Sequence, residues 1–225
     1  MLPPPADRVR RFDLPTRLVH WALAVPFLLL LLTGLTNYAP RLKALHLGGA
    51  RLFAWAHVVL GFAMLAVAVL VLLALLRSRS LRADANAMAD LRDDDARWLR
   101  HYALRLLGVA SAAPPAAKFN AGQKLNALIS SLATVGLLGT GLILGINCIS
   151  KRVFDTNFVA DVFPWHTVLA LAMIPVVLGH LYLALLHPST RASLRGILTG
   201  TVDRTWARRH HPAWRPPDDE TTSRE

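Results

Sequence analysis

Residues 162–190 read VFPWHTVLALAMIPVVLGHLYLALLHPST and contain no Lys, Arg, Asp or Glu. Two histidines in this run, His166 and His180, lie fourteen residues apart. On an α-helix, fourteen residues rise about 21 Å and stop about 40° short of four full turns. Because the hydrocarbon core of a bilayer is about 30 Å thick, one helix can present both imidazoles on a single face, one near each membrane surface.

Three further stretches of this 225-residue chain lack charged side chains and are long enough to cross a membrane. About 20 apolar residues suffice for a spanning helix. The whole chain is 54% hydrophobic and only 17% charged, which is typical of a protein embedded in lipid. We therefore predict an all-α integral membrane protein, a bundle of four transmembrane helices over residues 18–40, 52–76, 125–150 and 162–190. Residues 1–225 are expected to form a single domain with a tail at 191–225.

The positive charges are distributed unevenly around these spans. With four spans, both termini and the loop 77–124 lie on one side of the membrane, and that side carries 20 of the 25 Lys and Arg residues. The remaining five are Arg41, Lys43, Arg51, Lys151 and Arg152 in the two opposite loops. The positive-inside rule therefore predicts that both termini are cytoplasmic. Contact with lipid headgroups explains the net charge of +11, so no nucleic-acid partner is expected.

Two earlier spans carry one further histidine each. His20 lies near the cytoplasmic start of the first span, whereas His57 lies near the outer start of the second. The fourth span also starts outside, so His166 is outer and His180 is inner. Depth therefore pairs His57 with His166 and His20 with His180. A lone histidine in hydrocarbon often bonds only a neighbouring helix, but four that match in depth indicate a shared function.

Haem suits two such pairs. Two neutral imidazoles fill both axial positions of a haem iron, and a site closed in this way favours electron transfer over oxygen chemistry. Cys148 is the only cysteine, so covalent attachment through C-x-x-C-H is excluded and haem b is expected. Gly34 faces the same way as His20 at the depth of the outer pair, where it can make room for the second haem. We interpret Gly141, in a G-x-x-x-G spacing, as ordinary helix packing.

The cytoplasmic loop holds two further features. An amphipathic helix is predicted over residues 90–107, lying on the membrane surface or against a partner. A polar cluster, Lys118-Phe119-Asn120-Ala121-Gly122-Gln123-Lys124, then directly precedes the third span. Its amide side chains can hydrogen-bond a quinone carbonyl, and its glycine lets a ring approach the backbone. The simpler interpretation of this cluster is an ordinary polar start of a spanning helix.

These residues resemble the gamma subunit of membrane-bound formate dehydrogenases, a four-helix cytochrome b, over nearly the whole chain. The polar cluster at 118–124 is the most specific match. The other matching motifs are Arg17-x-x-His20-Trp21, Thr33-Gly34-Leu35, Trp55-x-His57, Gly179-His180-x-Tyr182 and the tail Trp206-Ala-x-x-His-His-Pro-x-Trp214.

The resemblance implies two haems b and a quinone site. It assigns the cytoplasmic-side haem to His20 and His180 and the periplasmic-side haem to His57 and His166. It places a menaquinone beside the inner haem, at Asn120, Gly122 and Gln123. The type of quinone, menaquinone or ubiquinone, is left open by the residues themselves.

The same resemblance implies a location and partners. The chain would lie in the bacterial inner membrane with an iron–sulfur beta subunit at its periplasmic face and a molybdenum- or tungsten-containing alpha subunit that oxidises formate. Electrons would pass from the outer to the inner haem and reduce the quinone with protons from the cytoplasm. The chain is then an electron-transfer and quinone-reducing subunit whose remaining partners are quinone and membrane lipid.

Two alternatives share some of these features. The b-type cytochrome of a nickel–iron hydrogenase or of a thiosulfate reductase would show the same arrangement of four histidines. A transporter that relays protons through histidines without haem would also place imidazoles in the membrane. Such a relay is expected to include intramembrane carboxylates, yet the four predicted spans contain no Asp or Glu.

Overall fold

The computed structural model describes residues 7–47, 50–109, 112–150 and 153–216. Lys151 and Arg152, which the charge argument used, and the end of the predicted tail beyond residue 216 lie outside these ranges. The chain divides into two compact units. We call Val19–Arg77 with Ser130–Leu178 the helical unit, and Met1–Leu18, Ser78–Ile129 and Gly179–Glu225 the terminal unit.

Helices make up most of the described residues. In chain order they are α1 (Leu14–Leu35), α2 (Pro40–Lys43), α3 (Leu52–Arg77), α4 (Arg79–Ala89), α5 (Asp93–Leu106), α6 (Ala121–Ile149), α7 (Thr156–Leu181), α8 (Leu194–Thr199) and α9 (Arg204–His210). A π-helical turn, Tyr182–Leu186, follows α7. The short strands are β1 (Arg8–Arg10), β2 (His46–Leu47), β3 (Ala50–Arg51) and β4 (Thr201–Asp203), paired antiparallel as β1 with β4 and β2 with β3.

Four helices, α1, α3, α6 and α7, are long and apolar enough to cross a membrane. They confirm the predicted four-helix membrane fold, while the side on which the termini lie stays a prediction. Three of them begin four to six residues before the predicted spans, at Leu14, Ala121 and Thr156. For α6 and α7, polar residues explain the earlier starts, because a side-chain oxygen can cap a helix before its apolar part begins. The Asp155 carboxylate, for example, accepts hydrogen bonds from the backbone N–H groups of Asn157 and Phe158 at the start of α7.

The loop between α3 and α6 is helical over most of its described length. The helix predicted over 90–107 is present as α5, and the backbone N–H of Arg92 donates to the Asp95 carboxylate at its start. The preceding helix, α4, was not predicted. Its N-cap is Ser78, whose hydroxyl accepts a hydrogen bond from the Leu81 N–H at 3.2 Å.

The core of the terminal unit forms where the two ends of the chain meet. Val9 in β1 lies opposite Val202 in β4, and both side chains are fully buried against Ala207. Gly200, just before β4, has a φ of +92°, and a Cβ at this position would lie 2.8 Å from the Phe12 carbonyl oxygen. Only glycine fits there, since both the backbone conformation and the close contact exclude a side chain.

Candidate cofactor site

The helical unit brings His57 on α3 and His166 on α7 together. Their ring centroids lie 6.2 Å apart, and the ring planes are nearly perpendicular, at 87°. Both imidazoles are half-buried. The predicted outer pair is therefore a pair in space, whereas its role as a set of metal ligands stays a prediction.

Each of these imidazoles contacts a threonine on another helix. Thr33 Oγ1 on α1 lies 3.0 Å from His57 Nδ1, and Thr140 Oγ1 on α6 lies 2.8 Å from His166 Nδ1. The sequence reasoning missed both contacts. The available signal was the tripeptide Thr-Gly-Leu, which occurs at residues 33–35 and again at 140–142.

Glycines lie directly beside the same rings. A Cβ added to Gly34 would lie 3.3 Å from His57 Cε1, and one added to Gly141 would lie 3.2 Å from His166 Cε1. Both distances are shorter than an ordinary van der Waals contact. Gly141, interpreted above as helix packing, therefore contacts a predicted ligand. A Cβ at Gly145 would lie 3.3 Å from the Phe62 ring, which is the helix packing expected of a small residue.

A cavity of about 440 Å³ lies between the helices beside this pair. Binding pockets for small molecules and cofactors typically measure about 300–1,000 Å³ and are mostly apolar. The residues that line this cavity include both histidines, Gly34 and Gly141, and among the described lining residues none is Asp, Glu, Lys or Arg. The cavity can therefore hold a large apolar group that the two imidazoles reach.

The pair fits a haem iron in distance as well. Two metal–imidazole bonds of about 2 Å together with two ring radii add up to roughly 6 Å. The observed separation of the His57 and His166 centroids, 6.2 Å, agrees with this sum. Two imidazoles, an apolar cavity and the absence of side chains at Gly34 and Gly141 are what a bis-histidine haem requires.

The two predicted inner ligands belong to different units. His20, on α1, lies in the helical unit, half-buried and edge-on to the Trp21 ring at 5.1 Å between centroids. His180, on the last turn of α7, lies in the terminal unit with its side chain exposed. The π-helical turn Tyr182–Leu186 begins two residues after His180, and such turns are frequent at functional sites. The pairing of His20 with His180 stays a prediction.

The polar cluster caps the first turn of α6. Asn120 Oδ1 accepts a hydrogen bond from the Gln123 N–H at 2.9 Å, and Gln123 Oε1 accepts one from the Asn120 N–H at 3.0 Å. This is a capping box, which the spacing Asn-x-x-Gln before an apolar run could have revealed in the sequence. A Cβ on Gly122 would lie 3.5 Å from the Trp98 ring of α5.

Both lysines of the cluster are paired with carboxylates of the loop. Lys124 is 7% exposed, lies 2.8 Å from the Asp95 carboxylate and donates to the Asp90 carbonyl at 2.6 Å. Lys118 forms an ion pair with Asp84, which also accepts a hydrogen bond from Thr16 at 2.9 Å. These bonds fix the cluster to α4 and α5.

Residues from the N-terminal and C-terminal parts of the chain bond the backbone where the cluster begins. Arg11 Nη2 donates to the Lys118 carbonyl at 2.9 Å, and His211 Nδ1 donates to the Ala117 carbonyl at 2.7 Å. Arg11 is 2% exposed and lies between the rings of Trp206 and Trp214, with its guanidinium carbon 5.3 Å and 5.7 Å from their centroids. Sequence reasoning had used Arg11 only as a topology charge and had given His211 no role.

Burial lowers the pKa of both groups. It lowers the pKa of the Arg11 guanidinium to about 10, although the Asp84 charge partly opposes this. Burial, together with the positive charge of Arg11, lowers the pKa of the His211 imidazole from 6.5 to about 3. His211 is therefore neutral in the folded protein at neutral pH.

We expect acid to destabilise the terminal unit through His211. Between about pH 6.5 and pH 3 the unfolded chain binds a proton at this imidazole that the folded chain does not, so stability falls as the pH is lowered through this window. The slope is at most about 1.4 kcal/mol per pH unit. The unfolding temperature of the purified protein should therefore depend less on pH in the variant His211→Gln. The carboxylates of the chain are the same in both proteins, so they cannot cause a difference between them. If the unfolding temperature depended equally on pH in parent and variant, this expectation would be wrong.

Comparison with known proteins gives one family and several relatives. A family model described as prokaryotic cytochrome b561 matches residues 11–200. The formate dehydrogenase cytochrome b556 subunit of Haemophilus influenzae is 29% identical over 213 residues, which cover 92% of this chain and 82% of that protein.

Two proteins of Escherichia coli K12 are also similar. The nitrate-inducible formate dehydrogenase cytochrome b556(Fdn) subunit is 26% identical over 88% of this chain and 86% of its own length. The formate dehydrogenase cytochrome b556(fdo) subunit is 24% identical over 92% of both chains. These similarities extend over nearly the whole chain.

Proposed function

Because the chain belongs to the prokaryotic cytochrome b561 family, we propose that it is the cytochrome b subunit of a formate dehydrogenase and carries electrons across the membrane to a quinone. The chain is a membrane b-type cytochrome, and the family implies haem b as its cofactor. The observation that carries the finer proposal is the facing pair His57–His166 beside an apolar cavity. The names of the relatives, all cytochrome subunits of formate dehydrogenases, support the partner.

Two haems b are proposed, each between two imidazoles. His57 and His166 would hold the outer haem, and His20 and His180 the inner one. Bound haem supplies one-electron redox chemistry. The chain would contribute two imidazoles to each haem, and a mostly apolar cavity would surround the outer one.

A quinone is proposed to bind at Asn120, Gly122 and Gln123. A backbone N–H needs an oxygen acceptor, so the capping box directs the side-chain oxygens of Asn120 and Gln123 into the helix end. Both NH2 groups remain as donors, and neither makes a hydrogen bond to another residue that the structure describes. A quinone carbonyl is an acceptor, so these amides suit it. The ion pairs of Lys118 and Lys124 keep the cluster in place.

The proposed direction of electron flow follows from the charge distribution. With both termini in the cytoplasm, the pair His57–His166 lies near the periplasmic face, where an iron–sulfur beta subunit would deliver electrons taken from formate by a molybdenum or tungsten alpha subunit. The quinone at Asn120 would then take its protons from the cytoplasm. In a bacterial inner membrane this arrangement generates a membrane potential.

Haem content and electron donor test this proposal. We expect purified protein to contain two haems b per chain, and formate, but not hydrogen gas, to reduce them in native membranes. The measurements are a reduced-minus-oxidised spectrum and a haem-to-protein ratio, with the co-purifying subunits identified by mass spectrometry. Reduction by hydrogen alone would assign the chain to a hydrogenase, and a protein without haem would favour the histidine-relay transporter.

A further inference from the structure

The contacts around the outer pair repeat. In each case a Thr-Gly dipeptide of one helix lies against a histidine of another: Thr33 and Gly34 on α1 against His57, and Thr140 and Gly141 on α6 against His166. We propose that each threonine fixes the tautomer and rotation of an axial imidazole, and that each glycine lets the ring lie against the helix. This inference rests on the proposed haem between His57 and His166.

The hydrogen bonds of Thr33 determine which nitrogen of His57 carries the proton. The Thr33 hydroxyl donates its only hydrogen within α1, to the Leu29 carbonyl at 2.8 Å. With that hydrogen used inside the helix, its oxygen is the acceptor at 3.0 Å from His57 Nδ1 in the tautomer that leaves Nε2 free for iron. Because Nδ1 carries the hydrogen of the neutral ring, Nε2 keeps its lone pair for iron.

Thr140 repeats the arrangement on the other side. Its hydroxyl donates to the Gly136 carbonyl at 2.7 Å, and in the same tautomer its oxygen is the acceptor at 2.8 Å from His166 Nδ1. Both rings of the pair are thus oriented in the same way, by a hydroxyl whose own hydrogen is already bonded within its helix. Two independent helices that reach the same arrangement argue against a chance contact.

The glycines make this geometry possible. A methyl group at Gly34 or Gly141 would lie 3.3 Å or 3.2 Å from the Cε1 atom of the adjacent ring and would push it away from the threonine. Gly34 was expected to make room for a haem, and its proximity to His57 gives it this additional function. The dipeptide therefore acts as a unit, because the hydroxyl sets the direction of the ring and the glycine sets its distance.

The consequence for the haem concerns its midpoint potential. A hydrogen-bond acceptor at Nδ1 makes the imidazole a stronger electron donor through Nε2. A stronger donor favours ferric over ferrous iron and so lowers the midpoint potential. Removing one hydroxyl should raise the potential of the outer haem and leave the inner haem unchanged. If the preference of the site for ferric over ferrous haem changes tenfold, the midpoint potential of this one-electron couple shifts by about 59 mV.

The test is a redox titration of both haems in the purified protein. We expect Thr33→Val and Thr140→Val to raise one midpoint potential, and Thr33→Ser and Thr140→Ser, which keep the hydroxyl, to restore it. Thr36→Val serves as the control, because the Thr36 hydroxyl donates only to the Thr33 carbonyl. If the valine variants accumulate poorly, Thr33→Ala and Thr140→Ala remove the same hydroxyls with less bulk.

Electron paramagnetic resonance of the ferric protein gives a second readout. Nearly perpendicular imidazole planes, at 87° here, should produce a strongly anisotropic low-spin signal, and freeing either ring should reduce that anisotropy. Unchanged potentials and signals in the valine variants would overturn the inference, as would an equal shift in Thr36→Val. In either case a full haem content would leave the proposed function standing, whereas the absence of an outer haem in the parent protein would refute that function itself.

Discussion

Replacing His57 with alanine is expected to remove one of the two haems and to abolish formate-dependent quinone reduction. Among the described residues that line the cavity, the substitution leaves His166 as the only histidine, and one axial ligand holds a haem far more weakly than two. Electrons from the outer face would then have to cross a gap comparable to the rise of about 21 Å from His166 to His180. The measurement is the haem-to-protein ratio of purified His57→Ala, which should fall from two to about one, together with quinone reduction in membranes.

A histidine outside the spans provides the matched control. His46 lies in the short strand β2, so His46→Ala should retain both haems and full activity. The haem-to-protein ratio of His180→Ala should also fall to about one, but through loss of the inner haem. Two intact haems in His57→Ala would contradict the assignment of the outer pair, whatever the effect on activity.

The second large effect is expected from removing the amide donors of the polar cluster. The double variant Asn120→Asp/Gln123→Glu keeps the two oxygens that cap α6 and loses only the NH2 groups. Carboxylates are favourable at a helix N-terminus, so the fold should be preserved. Each lost hydrogen bond to the quinone should cost about 0.5–1.5 kcal/mol, so quinone reduction should fall by up to about 100-fold at low quinone concentration.

The controls separate quinone binding from folding and from charge. Haem content and electron transfer to an artificial acceptor should be unchanged in the double variant. Asn120→Ser, which is an equally good N-cap without an added charge, should show up to about a tenfold loss. Normal quinone reduction in both variants would mean that the amides only cap the helix, which is the simpler interpretation of the cluster.

Long-range periodicity and charge made the membrane fold predictable. Runs without charged residues located the four spans, and depth alone paired His57 with His166. The helix starts were misplaced because capping depends on single polar residues such as Asp155, whose hydrogen bonds are invisible in a hydropathy pattern. The contacts of Thr33 and Thr140 depend on which helices are neighbours and on how each helix is rotated about its own axis. The sequence of a single helix specifies neither its neighbours nor this rotation.

The terminal unit was the least predictable part for a different reason. Its strands β1 and β4 have three residues each, too few for an alternating pattern to be recognised. The burial of Arg11 also contradicts the usual expectation for an arginine, which is almost never fully buried unless it is paired. Here aromatic rings and the Lys118 carbonyl replace only part of the lost hydration, since Nε and Nη1 are buried without a hydrogen bond to any residue that the structure describes.

The pairing of β1 with β4 also sets an order for biosynthesis. Ribosomes extend a chain from its N-terminus at about 5–20 residues per second, and segments fold as they become available. All residues of the helical unit, with both outer histidines and both Thr-Gly dipeptides, have been translated by Leu178, whereas β1 has to wait for Thr201–Asp203. A nascent chain can therefore form its outer histidine pair while the terminal unit is still incomplete. Truncation of the message between the codons for Leu178 and Thr201 would then spare the outer histidine pair and prevent the pairing of β1 with β4.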